Sequence, residues 1–247
     1  VKENYLAVAL GKRDVGEADR LYTFYTKEEG MLLVGAKGVR KMGAKLAAQT
    51  EDFMLCRIVI AKNFGPGTLA GAYSEKNFPC LRGDYDALCT LQRIKRIFVR
   101  LMRNEQQDQY VFDLLVDLID AIERSAAQSF PRQGKEESYK IQEYLGSIFL
   151  LKLYASMGYR FPLDRCSGCE KTLEPQKNFF CAYDGGVLCS DCARSMSYSV
   201  PLDVGTLKAM RLINGNNFLQ SQKIIITKRI ASQLQVITDH IATWIMR

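Results

Sequence analysis

The chain almost lacks histidine: His240 is the single imidazole in 247 residues. No Ser–His–Asp order can be assembled around one isolated histidine in a C-terminal helix, so His240 is expected to lie on the helix surface. The metallopeptidase, dinucleotide-binding and serine-hydrolase signatures HExxH, GxGxxG and GxSxG are absent. GKRD at 11–14 lacks the upstream glycine and the Ser/Thr of a phosphate-binding loop. No catalytic centre follows from these residues, and the protein is expected not to be an enzyme. The acidic pairs Glu28–Glu29 and Glu136–Glu137 are expected to be solvated. No window holds eighteen apolar residues without charge, which excludes an obvious membrane-spanning helix. The opening VKENYLAVALGKRD has neither the long apolar region nor the cleavage site of a secretion signal, and it alternates like a strand. Its thiols are therefore expected to stay reduced, in the cytoplasm.

What is present begins with Cys166, Cys169, Cys189 and Cys192. They form CSGC and CSDC separated by nineteen residues. Two CxxC pairs at this distance are the spacing of a four-thiolate zinc site. Two residues between thiols let one turn present both sulfurs to a tetrahedral ion. Gly168 and Gly186 stand where such turns need backbone freedom. Arg165, Lys171 and Arg194 could offset the excess negative charge. Four sulfurs leave no open coordination position, so the ion would hold structure and not catalyse. A redox CxxC pair or a disulfide framework fits less well. Cys181, a fifth thiol between the pairs, could replace one ligand. Otherwise it is expected, with Cys56, Cys80 and Cys89, to be a small apolar core residue.

Five short strands are expected before residue 80: Asn4–Leu10, Leu21–Tyr25, Met31–Ala36, Phe53–Ala61 and Thr68–Tyr73. That number suits a small closed barrel, foremost an OB-fold, with an SH3-like barrel as the alternative. From Tyr85 to Met157 apolar residues recur at helical spacing, giving three helices with a loop at Ser125–Lys135. Gly158 is placed as a helix C-cap. Asp203 is placed as the N-cap of a helix to Asn214, and Ile230–Ile245 as a last amphipathic helix. The domains are an OB-fold at 1–80 and a helical domain at 81–247, with the zinc-ribbon-like module at about 160–200.

The net charge is +7. Between Gly30 and Thr50 no acidic residue occurs, yet Lys37, Arg40, Lys41 and Lys45 do, interleaved with glycines. Glycine lets the backbone approach a phosphate and the cations neutralise it. Arg13 and Arg20 lie on earlier strands. Tyr5, Tyr22, Phe24 and Tyr25 offer rings for base stacking, although core packing is the expected fate of most. Arg93, Arg96, Arg100 and Arg103, spaced 3, 4 and 3, share one helical stripe. Such a stripe needs an offset, either from Asp113, Asp117 and Asp120 on the next helix or from an external anion.

Together these parts resemble the bacterial RecO family. GEADRLYTFYTKEEGMLLVGAKGVRK (16–41) is similar to its opening barrel motif, with Glu17, Asp19, Arg20 and Leu21, then Thr26 and Gly30, then Ala36, Gly38 and Arg40. LYASMGYRFPLDRCSGC (153–169) and DGGVLCSDC (184–192) resemble the family's helix end and zinc region. The chain departs by opening without Met and by stopping at Arg247, early for the family, as a truncated chain would. The resemblance implies a DNA repair and recombination mediator of the RecFOR pathway, located in the cytoplasm with the nucleoid. It implies binding of single- and double-stranded DNA, strand annealing, and action with RecR in loading RecA onto strands coated by single-stranded-DNA-binding protein. The Arg93–Arg103 stripe is then a candidate dock for that coating protein's acidic C-terminal tail. The alternative is an interaction scaffold with structural zinc and no DNA role.

Overall fold

Apolar residues at Tyr5, Ala7 and Ala9 alternate with polar ones and commit the first stretch to a long strand, β1 (Lys2–Val15). The computed structural model describes residues 1–39, 46–62, 67–102, 107–129, 139–175, 177–195 and 198–247. β1 pairs antiparallel with β2 (Asp19–Thr26) through its second half and with β4 (Leu55–Ala61) through its first. It can serve both neighbours because a bulge between Ala9 and Gly11 bends it. β3 (Gly30–Ala36) pairs with β2 and meets β5 (Thr68–Lys76) at one parallel bridge, Gly35–Thr68. β5 returns antiparallel to β4. The order β1-β2-β3-β5-β4 closes a barrel, which is the OB-fold topology. All five expected strands are found, with shifted ends. β1 continues to Val15, and β4 starts only at Leu55 because Phe53 takes a left-handed φ of 66°.

The barrel interior is filled by Tyr5, Ala7, Ala9, Tyr22, Phe24, Val34, Cys56, Ile58, Ile60 and Leu69. Tyr25 points outward, yet it is buried too. Its ring meets Phe98 of α2 (Tyr85–Leu101) at 4.9 Å and Phe112 of α3 (Gln109–Ser129) at 6.3 Å. The four rings expected as stacking surfaces are thus all core residues, because strand alternation says nothing of what covers the outer face. The Thr26–Gly30 turn is held by the buried Thr26 hydroxyl. It donates to the Gly30 carbonyl at 2.9 Å and accepts from the Glu29 amide at 3.1 Å. Glu29 is not simply solvated. Its carboxylate accepts from Tyr5 Oη at 2.9 Å and pairs with Lys62 at 3.0 Å. Before α2, a short helix, α1 (Pro79–Arg82), offers the Cys80 and Leu81 amides to Glu123 at 3.0 and 2.8 Å.

By compactness the chain divides into Val1–Ala127 and Gln128–Arg247. The second unit is built on α4 (Tyr139–Ser156), apolar nearly all round and therefore a core helix. Gly158, with φ +92°, ends it in a Schellman arrangement: Tyr159 N–H donates to Tyr154 O at 2.9 Å and Gly158 N–H to Ala155 O at 3.2 Å. α6 (Val204–Gly215), α7 (Phe218–Ser221) and α8 (Lys228–Ile245) pack on α4. Asp203 is the N-cap of α6 as expected, but its carboxylate takes Arg229 Nη2 at 3.0 Å instead of a helix amide. Lys152 of α4 is buried and its ammonium donates to the Ile213 and Asn216 carbonyls at the end of α6. Among the described residues no helix is long and apolar enough to cross a membrane.

Candidate metal centre and nucleic-acid interface

The cysteine segment folds into a small three-stranded sheet, β7-β6-β8, that the sequence pattern did not reveal. β6 (Asn178–Cys181) pairs with β7 (Gly186–Leu188) and β8 (Val200–Leu202). Strands of three or four residues are too short to carry a visible alternation. The first thiol pair sits in a turn closed by Cys166 N–H to Lys171 O and Glu170 N–H to Cys166 O, both 2.8 Å. The second pair begins at Cys189, the N-cap of α5 (Ser190–Ala193). Ser167 N–H donates to Val187 O at 2.8 Å and binds one turn to the other. Arg211 of α6 fastens the module by donating to Leu163 O at 2.6 Å.

These contacts bring the sulfurs of Cys166, Cys169, Cys189 and Cys192 within 4.8 Å of one another. Cys169 Sγ and Cys189 Sγ are 3.9 Å apart. A tetrahedron with metal–sulfur bonds of 2.3 Å has edges of about 3.8 Å, so the group fits a zinc ion. Burial pushes the Cys166 thiol up, but the amide N–H groups of Cys189, Cys169 and Gly168 outweigh burial and bring it down to about 6. Hydrogen bonds that the Cys192 thiol donates to the sulfurs of Cys189, Cys169 and Cys166 push it up to about 12. Four sulfurs this close resist full deprotonation until a cation neutralises them. Cys181 is buried and lies outside the group, and burial raises its thiol. Cys56 is likewise a core thiol, whereas Cys80 is half-buried and Cys89 exposed on α2, against expectation. Gly168 and Gly186 are required for a different reason than turn freedom. Neither has a positive φ; a Cβ on Gly168 would stand 3.2 Å from Cys192 Sγ, and one on Gly186 2.5 Å from Ser167 Oγ.

At the barrel, β1 places Arg13 opposite Leu21, which lies opposite Gly35 of β3. Lys37 follows two residues on, and both cations are exposed. Asp19 Oδ1 accepts from Gly38 N–H at 2.8 Å, and Gly38 takes a φ of +66°. The acidic residue of the opening motif therefore anchors the start of the basic segment. Arg20 is not open to a ligand in the same way. Its Nε donates to Asp14 Oδ1 at 2.8 Å, and this bond raises its pKa. Arg40, Lys41 and Lys45 lie outside the described residues.

On α2, Arg93 is half-buried while Arg96 and Arg100 are exposed; Arg103 lies outside the described residues. Two of the three aspartates expected to neutralise this stripe, Asp113 and Asp120, have other partners. Asp113 faces Lys27 at 4.0 Å and Asp120 pairs with Lys76 at 2.8 Å. Lys95, beside the stripe, is taken by Asp52 at 2.9 Å.

His240 is not a simple surface residue. It is half-buried, with its ring centroid 6.3 Å from Phe180 and 6.0 Å from Tyr183. Burial, then Arg247, pushes it below its ordinary 6.5. A depressed histidine contributes stability that is complete above the unfolded value and lost as pH falls through the folded one. The thermal midpoint of the protein is thus expected to drop below pH 6.5. The drop should be smaller in His240→Gln, as read by differential scanning fluorimetry.

Comparison with known proteins agrees with this architecture. The model described as Recombination protein O N terminal matches residues 2–78, and that described as Recombination protein O C terminal matches residues 139–244. The protein named DNA repair protein RecO from Dehalococcoides mccartyi is 25% identical over 93% of this chain and 85% of its own length. Proteins of the same name from Roseiflexus sp. and Pelotomaculum thermopropionicum are 27% and 23% identical over 90% and 96% of this chain, and 71% and 87% of their own lengths. With both family models matching in order on a barrel and a cysteine-bearing helical unit, the chain belongs to the RecO family of DNA repair proteins.

Proposed function

We propose that this protein is a non-enzymatic recombination mediator of the RecFOR pathway, acting in the cytoplasm at the nucleoid. It binds single- and double-stranded DNA through its OB-fold, anneals complementary strands, and with RecR promotes RecA loading onto strands coated by single-stranded-DNA-binding protein. Exchange of this kind is driven by competing affinities and needs no hydrolysis. The domains that carry it are the barrel at 1–80 and the helical domain at 81–247. The single observation that carries the proposal is the Asp19–Gly38 hydrogen bond of 2.8 Å, which fixes the start of the basic segment at the end of the sheet where Arg13 and Lys37 are exposed. Arg13, Lys37, Arg40, Lys41 and Lys45 are assigned to phosphates, and Arg20 to shaping that end through Asp14. Zinc held by Cys166, Cys169, Cys189 and Cys192 would cross-link the module and supply no chemistry beyond that.

Five phosphate contacts on a single strand give a salt slope of about −3.5, hence roughly a hundred-fold loss of affinity from about 50 to 200 mM salt. Fluorescence anisotropy with labelled single strands and duplexes tests this. Absence of binding at the lower salt would overturn the proposal and favour the scaffold alternative.

Arg96 and Arg100 are assigned to the acidic C-terminal tail of the coating protein, since charge-assisted arginine–carboxylate pairs suit an exposed helical stripe. The double variant Arg96→Glu, Arg100→Glu is expected to weaken an acidic tail peptide at least about tenfold by isothermal titration. Unchanged affinity removes that assignment.

A further inference from the structure

Two tyrosines stand together on the cysteine module. Tyr183 lies in the turn between β6 and β7, and Tyr198 precedes β8. Their ring centroids are 5.6 Å apart with planes tilted by 40°. Tyr183 is 38% exposed and Tyr198 64%. The guanidinium carbon of Arg247 stands 5.0 Å over the Tyr183 ring. The His240 ring meets Tyr183 at 6.0 Å and 65°. Beneath them Phe180, fully buried, packs edge-on against Phe161 at 5.2 Å, and Phe161 reaches Trp244 at 6.1 Å. The outer pair is therefore seated on a fixed ladder of rings.

A lone exposed tyrosine is ordinary. Here two touch, and a cation covers one of them. Among the described residues neither phenol oxygen has a hydrogen-bond partner, and Arg247 has no carboxylate partner. Polar interactions within the protein thus do not account for the arrangement. An apolar peptide would want a contiguous apolar groove. A flat π-face joined to a negative charge suits an exposed ring beside a guanidinium. An unpaired nucleobase with its phosphate has that chemistry.

We propose that Tyr198 and Tyr183, with Arg247, form a stacking platform for an unpaired base, a nucleic-acid contact separate from the barrel's cationic end. The proposal rests on the DNA-binding function above and goes beyond it by locating the preference for unpaired strands. Of the barrel's described rings, Tyr5, Tyr22, Phe24 and Tyr25 are buried and cannot stack on a base, and Tyr73 on β5 is 66% exposed. In a duplex the base faces are covered by their neighbours, so the platform selects single strands. Stacking on an aromatic side chain tolerates any base.

The test compares Tyr198→Ala and Tyr198→Phe with the unmodified chain, using a labelled oligonucleotide and its duplex in anisotropy and 2-aminopurine quenching in the single strand. Tyr198→Ala is expected to lose at least about fivefold in single-strand affinity, and the quenching with it, while duplex affinity holds. Tyr198→Phe is expected to match the unmodified protein. Tyr198 is largely exposed, so its replacement leaves the module's core in place. Single-strand affinity unchanged in Tyr198→Ala, or lost equally for duplex, overturns the platform and leaves the barrel assignment standing. Failure of the unmodified chain to bind either form overturns both.

Discussion

Cys166→Ser is expected to abolish stoichiometric zinc and to unfold the module between residues 160 and 200. Cys166 is the most demanding of the four positions. It is 1% exposed, and its sulfur accepts from the Cys189 amide at 3.3 Å and the Gly168 amide at 3.4 Å. Serine offers a poorer ligand and leaves those amides facing a neutral hydroxyl. Structural zinc contributes folding free energy on the order of 10 kcal/mol in small domains, so loss of the ion should lower the apparent thermal midpoint by about 10 °C or more. Chelation of the unmodified protein is expected to have the same effect. Cys181→Ser is the control: buried but outside the sulfur group, it should keep one zinc per chain. Elemental analysis with limited proteolysis reads both outcomes. Full metal content in Cys166→Ser would show that the four-sulfur assignment is wrong.

Reversing Lys37, Arg40, Lys41 and Lys45 to glutamate is expected to reduce single-strand affinity by at least about a hundred-fold. It should also flatten the salt slope by about 2.8, one phosphate contact each at roughly 0.7 for single strands. Fold should survive, because Lys37 is exposed and the segment's anchor is the Gly38 amide on Asp19, not a side chain of the cations. A variant with intact affinity would remove this segment from the interface.

How much of this was legible beforehand depends on the range of the interactions involved. The four cysteines of the candidate metal centre are local, with two residues between the members of each pair, and spacing alone picks them out. The barrel was legible because five alternating stretches bounded by turn residues admit few topologies. The fate of individual side chains was not. Tyr25 alternates to the outer face, yet Phe98 and Phe112, far along the chain, bury it. Arg20 looks like a free cation until Asp14, across a hairpin, takes its Nε. Asp113 and Asp120 sit at the right helical spacing to neutralise the arginine stripe, but lysines of the strand region, Lys27 and Lys76, reach them instead. Glycine at 168 signals a turn in sequence, whereas the real constraint is Cys192, which lies beside it only because the two thiol pairs converge. Except for Asp14, six residues from Arg20, the deciding partner is distant in sequence.

The most direct test of strand capture by the barrel is photo-crosslinking of a single-stranded oligonucleotide to the unmodified protein, with the attached peptides located by mass spectrometry. Adducts on peptides spanning Arg13 and residues 37–45 are the predicted result. Adducts confined to residues beyond 80, with the barrel unlabelled at saturating strand, would contradict it.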